Sequence, residues 1–232
     1  MKRQMTVILL LVSICLAAGS AGNTVIAETI AAGDTVVFGR YEQDNNMENG
    51  PEPIEWIVLN VDDGKALLLS RYGLDARTFN TELAYTSWEQ CDMRSWLNAD
   101  FLNAAFTEAE QHAILTTLVD NSSEEDISGW TEGKDTQDQV FLLSHTEAFS
   151  TYFADEEARK CIPTDYAAAQ GAWVSTDDQA DGRNTGYWWL RTISHQARAA
   201  TVGADGKQNR SHVCIPYHLV RPAIRVELSE IR

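Results

Sequence analysis

Apolar and polar residues alternate over the first third of the chain in the way half-buried strands require. Gly33 to Tyr41 is a β-branched and aromatic run, and Ile54 to Val61 alternates around Trp56. Asp63-Gly64 is a hairpin signal, and Ala66-Leu67-Leu68-Leu69-Ser70 returns as the partner strand. The opening therefore reads as a β-meander, with polar Glu42 to Pro53 as a solvated connection. In the middle the pattern changes to helical spacing, announced by caps: Ser87 with Gln90, Thr107 with Glu110, and Ser144 with Glu147 have capping-box spacing. The first predicts a helix with Met93, Trp96 and Leu97. The second predicts one that turns Ala109, Ala113, Ile114 and Leu118 toward the core. The third follows a short buried strand, Val140 to Leu143, and buries Ala148, Phe149, Tyr152 and Phe153. A further helix is predicted from Thr164 through Ala169, ending at Gly171 as its left-handed stop.

The closing segment returns to strands. Two apolar runs, Trp188-Trp189-Leu190-Arg191-Thr192 and Val220-Arg221-Pro222-Ala223-Ile224, flank a polar insert with a turn signal at Asp205-Gly206. The runs read as buried strands and the insert as a displayed hairpin. Arg191 and Arg221 are expected to hold loops by pairing with carboxylates or carbonyls. Asp120 to Gln139, around Trp130, and Ser175 to Thr185 read as irregular surface loops. Strands, then helices, then strands again predict an α+β domain.

Composition narrows the setting. Lys2 and Arg3, the apolar run Val7 to Ala18 and the small residues after it have the layout of a secretory signal, with cleavage after Ala27 or Ala21. The expectation is a signal peptide over 1–27 and a single domain over 28–232. The apolar run is shorter than the ~20 residues of a spanning helix, so no stable membrane insertion is expected after cleavage, and the protein is expected to be secreted. Two of the 18 basic residues fall in that leader, so 16 remain against 34 acidic ones and the net charge becomes −18. A surface so acidic repels phosphate backbones, which argues against nucleic acid as a partner. Three cysteines follow the leader, Cys91, Cys161 and Cys214, an odd number that permits at most one internal disulfide.

The series Phe38-Gly39-Arg40-Tyr41, Ile54-Glu55-Trp56, Leu67 to Ser70, Arg94-Ser95-Trp96-Leu97-Asn98, Phe101 to Phe106, Val140 to Ser144, Trp188-Trp189-Leu190-Arg191 and Val220-Arg221-Pro222-Ala223 resembles a group of bacterial secreted domains of unknown function. That group is itself distantly similar to the C-type-lectin-like fold, in the branch shared with formylglycine-generating enzymes. The resemblance implies a lectin-like mixed fold of antiparallel strands and short helices, with ligand-binding loops between Arg191 and Arg221. Formylglycine generation would need two nearby C-terminal cysteines, and only Cys214 lies there. Fold likeness does not fix function.

The remaining chemistry is sparse. His195, His212, His218 and Cys214 are zinc-capable side chains at irregular spacings, without a metal motif. Asp44-Asn45-Asn46 with Glu48 and Asn49 lacks the ligand spacing of a calcium hand. Asp177, Asp178 and Asp181 form a second acidic group, closer to the displayed segment. No metal is assigned, and calcium is kept only as a possible cofactor. Trp130, Tyr187 and Tyr217 lie beside turn residues and are the candidate exposed rings. The expected function is a non-enzymatic module that binds an extracellular glycan or protein. Its expected ligand surface is Ser194, His195, Gln196, Arg198, Asn209, Arg210, His212, Tyr217 and His218. The alternative is a formylglycine-generating-type or other thiol- or metal-dependent enzyme.

Overall fold

The first three strands, β1 (Thr35–Tyr41), β2 (Glu52–Asp62) and β3 (Lys65–Ser70), form the antiparallel meander that the alternation predicts. Asp63 and Gly64 both have positive φ (47° and 73°), the conformation a two-residue hairpin turn needs. A computed structural model describes residues 30–122, 133–194 and 197–231. The leader, Trp130, His195 and Gln196 lie outside the described residues.

After β4 (Asp75–Ala76) the chain becomes helical in short pieces: α1 (Asp92–Trp96), a π-turn over Leu97–Phe101, α2 (Leu102–Ala105) and α3 (Glu108–Ala113). Thr107 and Glu110 form a reciprocal capping box, and Ser144 and Glu147 exchange the same pair of bonds. Ser87 caps nothing with its side chain. Instead the Cys91 sulfur accepts from the Arg94 amide at the start of α1. The second predicted helix is also shorter than its spacing suggests. It stops at Ala113, and Leu118 lies 62 % exposed on β5 (Thr117–Val119), which pairs with β6 (Thr136–Asp138). β7 (Val140–Phe141), α4 (Glu156–Arg159) and α5 (Asp165–Ala169) follow. Thr164 caps α5, and Gly171 has the positive φ (99°) expected of its stop.

The segment Ser175 to Thr185, expected to be irregular, is a hairpin of β8 (Val174–Ala180) and β9 (Arg183–Gly186). Its turn is Asp181-Gly182, with φ 50° and 71°. The two strands are built mostly of polar residues, so no apolar alternation marks them. The chain ends with β10 (Trp188–Ser194), β11 (Arg198–Val202), β12 (Gln208–His212), β13 (Leu219–Val220) and β14 (Ala223–Glu227).

Two five-stranded sheets organise these elements, in the orders β1-β2-β3-β14-β7 and β12-β11-β10-β13-β4. Among the described residues every pairing between these strands is antiparallel except β10 with β13. The fold is therefore mixed α+β, with antiparallel sheets and short helices. One buried cluster joins the sheets and helices, and Trp56, Trp188 and Trp189 are fully enclosed in it. Each indole N–H finds a carbonyl, on Phe38, Arg159 and Arg77 respectively. Asn98 clamps the π-turn to β7, donating to Val140 O (2.8 Å) and accepting from the Gln139 and Val140 amides. Arg191 ties its strand to Leu142 O, Asp120 O and the Glu147 carboxylate, while Arg221 reaches Ser70 O at 2.9 Å. Both arginines hold loops, as their places at the ends of apolar runs suggest.

Candidate functional site

The insert between the two apolar runs is not a single displayed hairpin. Its first part, β10-β11-β12, is a meander built into the second sheet, with β12 at the sheet edge. Its turn is not free either. Gly206 is buried against the Glu156 backbone of α4, and the Gly206 carbonyl accepts from Arg159 Nε at 2.8 Å.

Register decides which side chains can meet. Arg198 pairs with His212 and Ser194, Ala200 with Arg210, and Val202 with Gln208 and Trp188. The alternate rows are Ala199 with Ser211 and Ile193, and Thr201 with Asn209 and Trp189. Side chains in one row share a face, and successive rows point to opposite faces. Arg198, Arg210 and His212 therefore stand on one face, and Asn209 and Ser211 on the other. Contacts agree with this parity: Arg198 Nη2 lies 3.4 Å from His212 Nε2, while Ser211 Oγ lies 2.7 Å from His218 Nε2. The sequence-predicted surface is thus split between two faces. Ser194 is buried beneath the first, and His218, 4 % exposed, is buried beneath the second.

The second face gathers aromatic rings around His218. Tyr187 stacks on the imidazole (5.3 Å, 17°), Trp189 meets it edge-on at 4.6 Å, and Tyr217 packs at 5.3 Å and 82°. Trp173, 5.3 Å from Tyr187, extends the group. Trp173 and Tyr217 are 46 % and 41 % exposed, far more than packing of the core requires. Backbone bonds fix the rings: the Trp173 amide donates to Tyr217 O, and the Leu219 amide to Tyr187 O. Trp173 was missed in the sequence because it stands alone between a helix stop and a polar hairpin. Its only signal was a large ring in a polar setting.

Burial pushes the His218 imidazole down to about 4, so it is neutral at physiological pH. Hydroxyl and imidazole at 2.7 Å is a geometry that can activate a nucleophile. An imidazole held that far below neutrality is a poor base, however, since efficient proton transfer needs a pKa near the working pH. With Nε2 taken by Ser211 and Nδ1 buried, the ring braces the Ser211 hydroxyl and the surrounding aromatic side chains rather than meeting a ligand itself.

The metal-capable residues separate. Among the described residues His212, Cys214 and His218 do not converge with other donors, and neither do Asp177, Asp178 and Asp181. Asp178 accepts from Ser175 Oγ, and Asp181 lies 3.8 Å from Arg71. One carboxylate group does converge, Glu42, Asp44 and Glu52, with donor atoms within 4.8 Å of one another. Pairing of Tyr41 with Glu52 brings its two halves together. Its oxygens already accept the Asn46 amide, the Asn49 side chain and the Gln43 and Asp44 amides, so they act as the frame of the 43–49 loop. The described cysteines are free thiols. Burial pushes the Cys91 thiol up to about 12 and raises that of Cys161, which makes both inert as nucleophiles.

Fold and site together define a mixed α+β domain with an aromatic platform at the rim of its second sheet. Over residues 63–228 the chain matches the family described as Domain of unknown function (DUF6273), and it belongs to that family. No curated protein matches it, and no solved structure does. Among the described residues no helix is long and apolar enough to cross a membrane.

Proposed function

We propose that the protein is a secreted, non-enzymatic module that binds an extracellular glycan on the platform formed by Trp173, Tyr187 and Tyr217. The observation that carries this reading is the pair of half-exposed rings held by backbone bonds around a buried, neutral histidine. Flat rings stack on the apolar face of a pyranose, and Asn209 and Ser211, on the same face of the sheet, supply polar groups for its hydroxyls. Tyr217, Asn209 and His218 come from the surface expected from sequence, and Trp173 and Ser211 complete it. Arg198, Arg210 and His212, on the opposite face, fall outside this reading. A lectin-like arrangement of the branch shared with formylglycine-generating enzymes belongs to the same proposal, supported by the antiparallel sheets and short helices of the fold. The signal-peptide layout of the first 27 residues supports export of such a module.

The test is a screen of residues 28–232 against glycans and cell-wall fragments, run with and without calcium. Trp173→Ala and Tyr217→Ala should each weaken the best ligand about tenfold or more, with unchanged thermal midpoints. Full binding in the double variant would sink the platform. A screen that captures only proteins would move the ligand class from glycan to protein.

A further inference from the structure

A cavity lies away from the platform, between β2, the residues that follow β3, α4 and the β8–β9 turn. Its volume is about 240 Å³, and Arg71, Tyr72, Lys160 and Arg221 line it, with Glu157 and Asp181 at its acidic side. In a chain of net charge −16, three cations around one cavity are a local inversion of sign.

Arg221 is the unusual member. It is 1 % exposed, and among the described residues no carboxylate pairs with it. Its donors reach only carbonyls, on Ser70 (2.9 Å), Arg159 (3.4 Å) and Arg71 (3.5 Å). Trp188 and Phe153 offer ring faces at 5.0 and 5.7 Å. Arg159, whose carbonyl it touches, is a second buried guanidinium without a carboxylate among the described residues; it bonds Gly206 O and lies over the Phe149 ring. Carbonyls and rings satisfy donors and soften the charge, but they do not neutralise it, and a buried unpaired charge is costly. The interior beside this cavity therefore carries two positive charges that the fold leaves uncompensated.

The rim is different. Lys160 bonds Glu157 at 2.7 Å and Gln179 O at 3.0 Å, and Arg71 bonds Glu55 at 3.0 Å. Arg71 also lies 3.8 Å from Asp181; its two pairs are open to water and the Lys160 pair is open on the carboxylate side, so water or an anion can replace these carboxylates. An anion entering the cavity would meet Arg71 and Lys160 at the rim and the positive field of the buried arginines beneath them.

We infer that this cavity is a site for an oxyanion, the phosphate, sulfate or carboxylate group of a small ligand, held by Arg71 and Lys160 over the buried Arg221. The site is separate from the aromatic platform and does not depend on it. Calorimetric titration of residues 28–232 with inorganic phosphate, sulfate and acetate tests it, with ionic strength held constant by chloride. At least one anion should bind saturably at one site, and which one binds distinguishes an ester from a carboxylate. Arg71→Ala and Lys160→Gln should each weaken that binding about tenfold or more, while Trp173→Ala should leave it unchanged. Both rim variants keep the buried arginine, and their thermal midpoints check that they fold. No saturable binding of any of the three anions, or equal affinity in wild type and both rim variants, would overturn the inference.

Discussion

At the scale of single residues, His218 is the most informative side chain, because its burial is a statement about stability as well as recognition. Its pKa is about 4 in the folded protein, where burial disfavours the charged ring, against about 6.5 in an unfolded chain. Between those values the unfolded chain binds the proton and the folded one does not. Stability from this group is therefore fully present above about pH 6.5 and is lost as the pH falls toward 4. From pH 7 to pH 5 the loss amounts to about 2 kcal/mol. Burial raises the Asp75 carboxyl, which contributes with the opposite sign, so the comparison must be made between variants. His218→Asn keeps a partner for Ser211 Oγ and removes the titration. Urea unfolding at several pH values should show wild type losing about 2 kcal/mol more than His218→Asn over that window. Parallel profiles would mean that the imidazole is not held neutral by its surroundings.

At the scale of elements, β1 shows how one glycine joins a strand to a helix. Gly39 sits at a register shift between Val37 and Arg40 with φ of 70°. A Cβ there would lie 2.5 Å from the Phe106 ring and 2.8 Å from Ala105 O at the end of α2. Gly50 has a similar φ of 79° but nothing within 4 Å, which makes it a control for the backbone cost alone. Gly50→Ala should cost about 1 kcal/mol, and Gly39→Ala about 2–4 kcal/mol because overpacking is added. Equal costs in denaturant unfolding would show that β1 does not need this close approach. Some of this architecture is legible in sequence. Asp63-Gly64 announces its hairpin because apolar alternation surrounds it, whereas Asp181-Gly182 makes the same turn without that signal, because β8 and β9 are built from polar residues. The platform was only half legible. Tyr187 and Tyr217 stand out beside turn residues, but parity in β11 and β12 depends on pairing partners, and a shift of one residue exchanges the faces. That is why Arg198 and Tyr217 could be grouped in sequence and separated in space. The buried Arg221 gave no warning, since an arginine beside a proline reads as a loop anchor until its missing carboxylate is seen.

At the scale of the whole molecule, the question is what stabilises a domain expected to work in an oxidising compartment. Secreted domains with small cores rely on disulfides, but about 200 residues can bury a core that needs none. The described cysteines bear this out in their placement. Cys91 and Cys161 are fully enclosed among apolar side chains, and only Cys214 is within reach of solvent. Burial holds the first two in the thiol form, so among the described cysteines only Cys214 is open to an oxidant. For residues 28–232, a thiol reagent should modify one cysteine rapidly in the native protein and three after denaturation. The thermal midpoint should be the same with and without reductant, because no bridge constrains the unfolded chain. A midpoint that falls in reductant, or a native protein with no reactive thiol, would require a disulfide and a different arrangement of the core around Cys91 and Cys161. If the midpoint holds, the two sheets and the arginines at their strand ends carry the fold unaided. The platform and the cationic cavity would then rest on a frame set by packing and backbone bonds alone, and substitutions at their exposed rims should leave that frame in place.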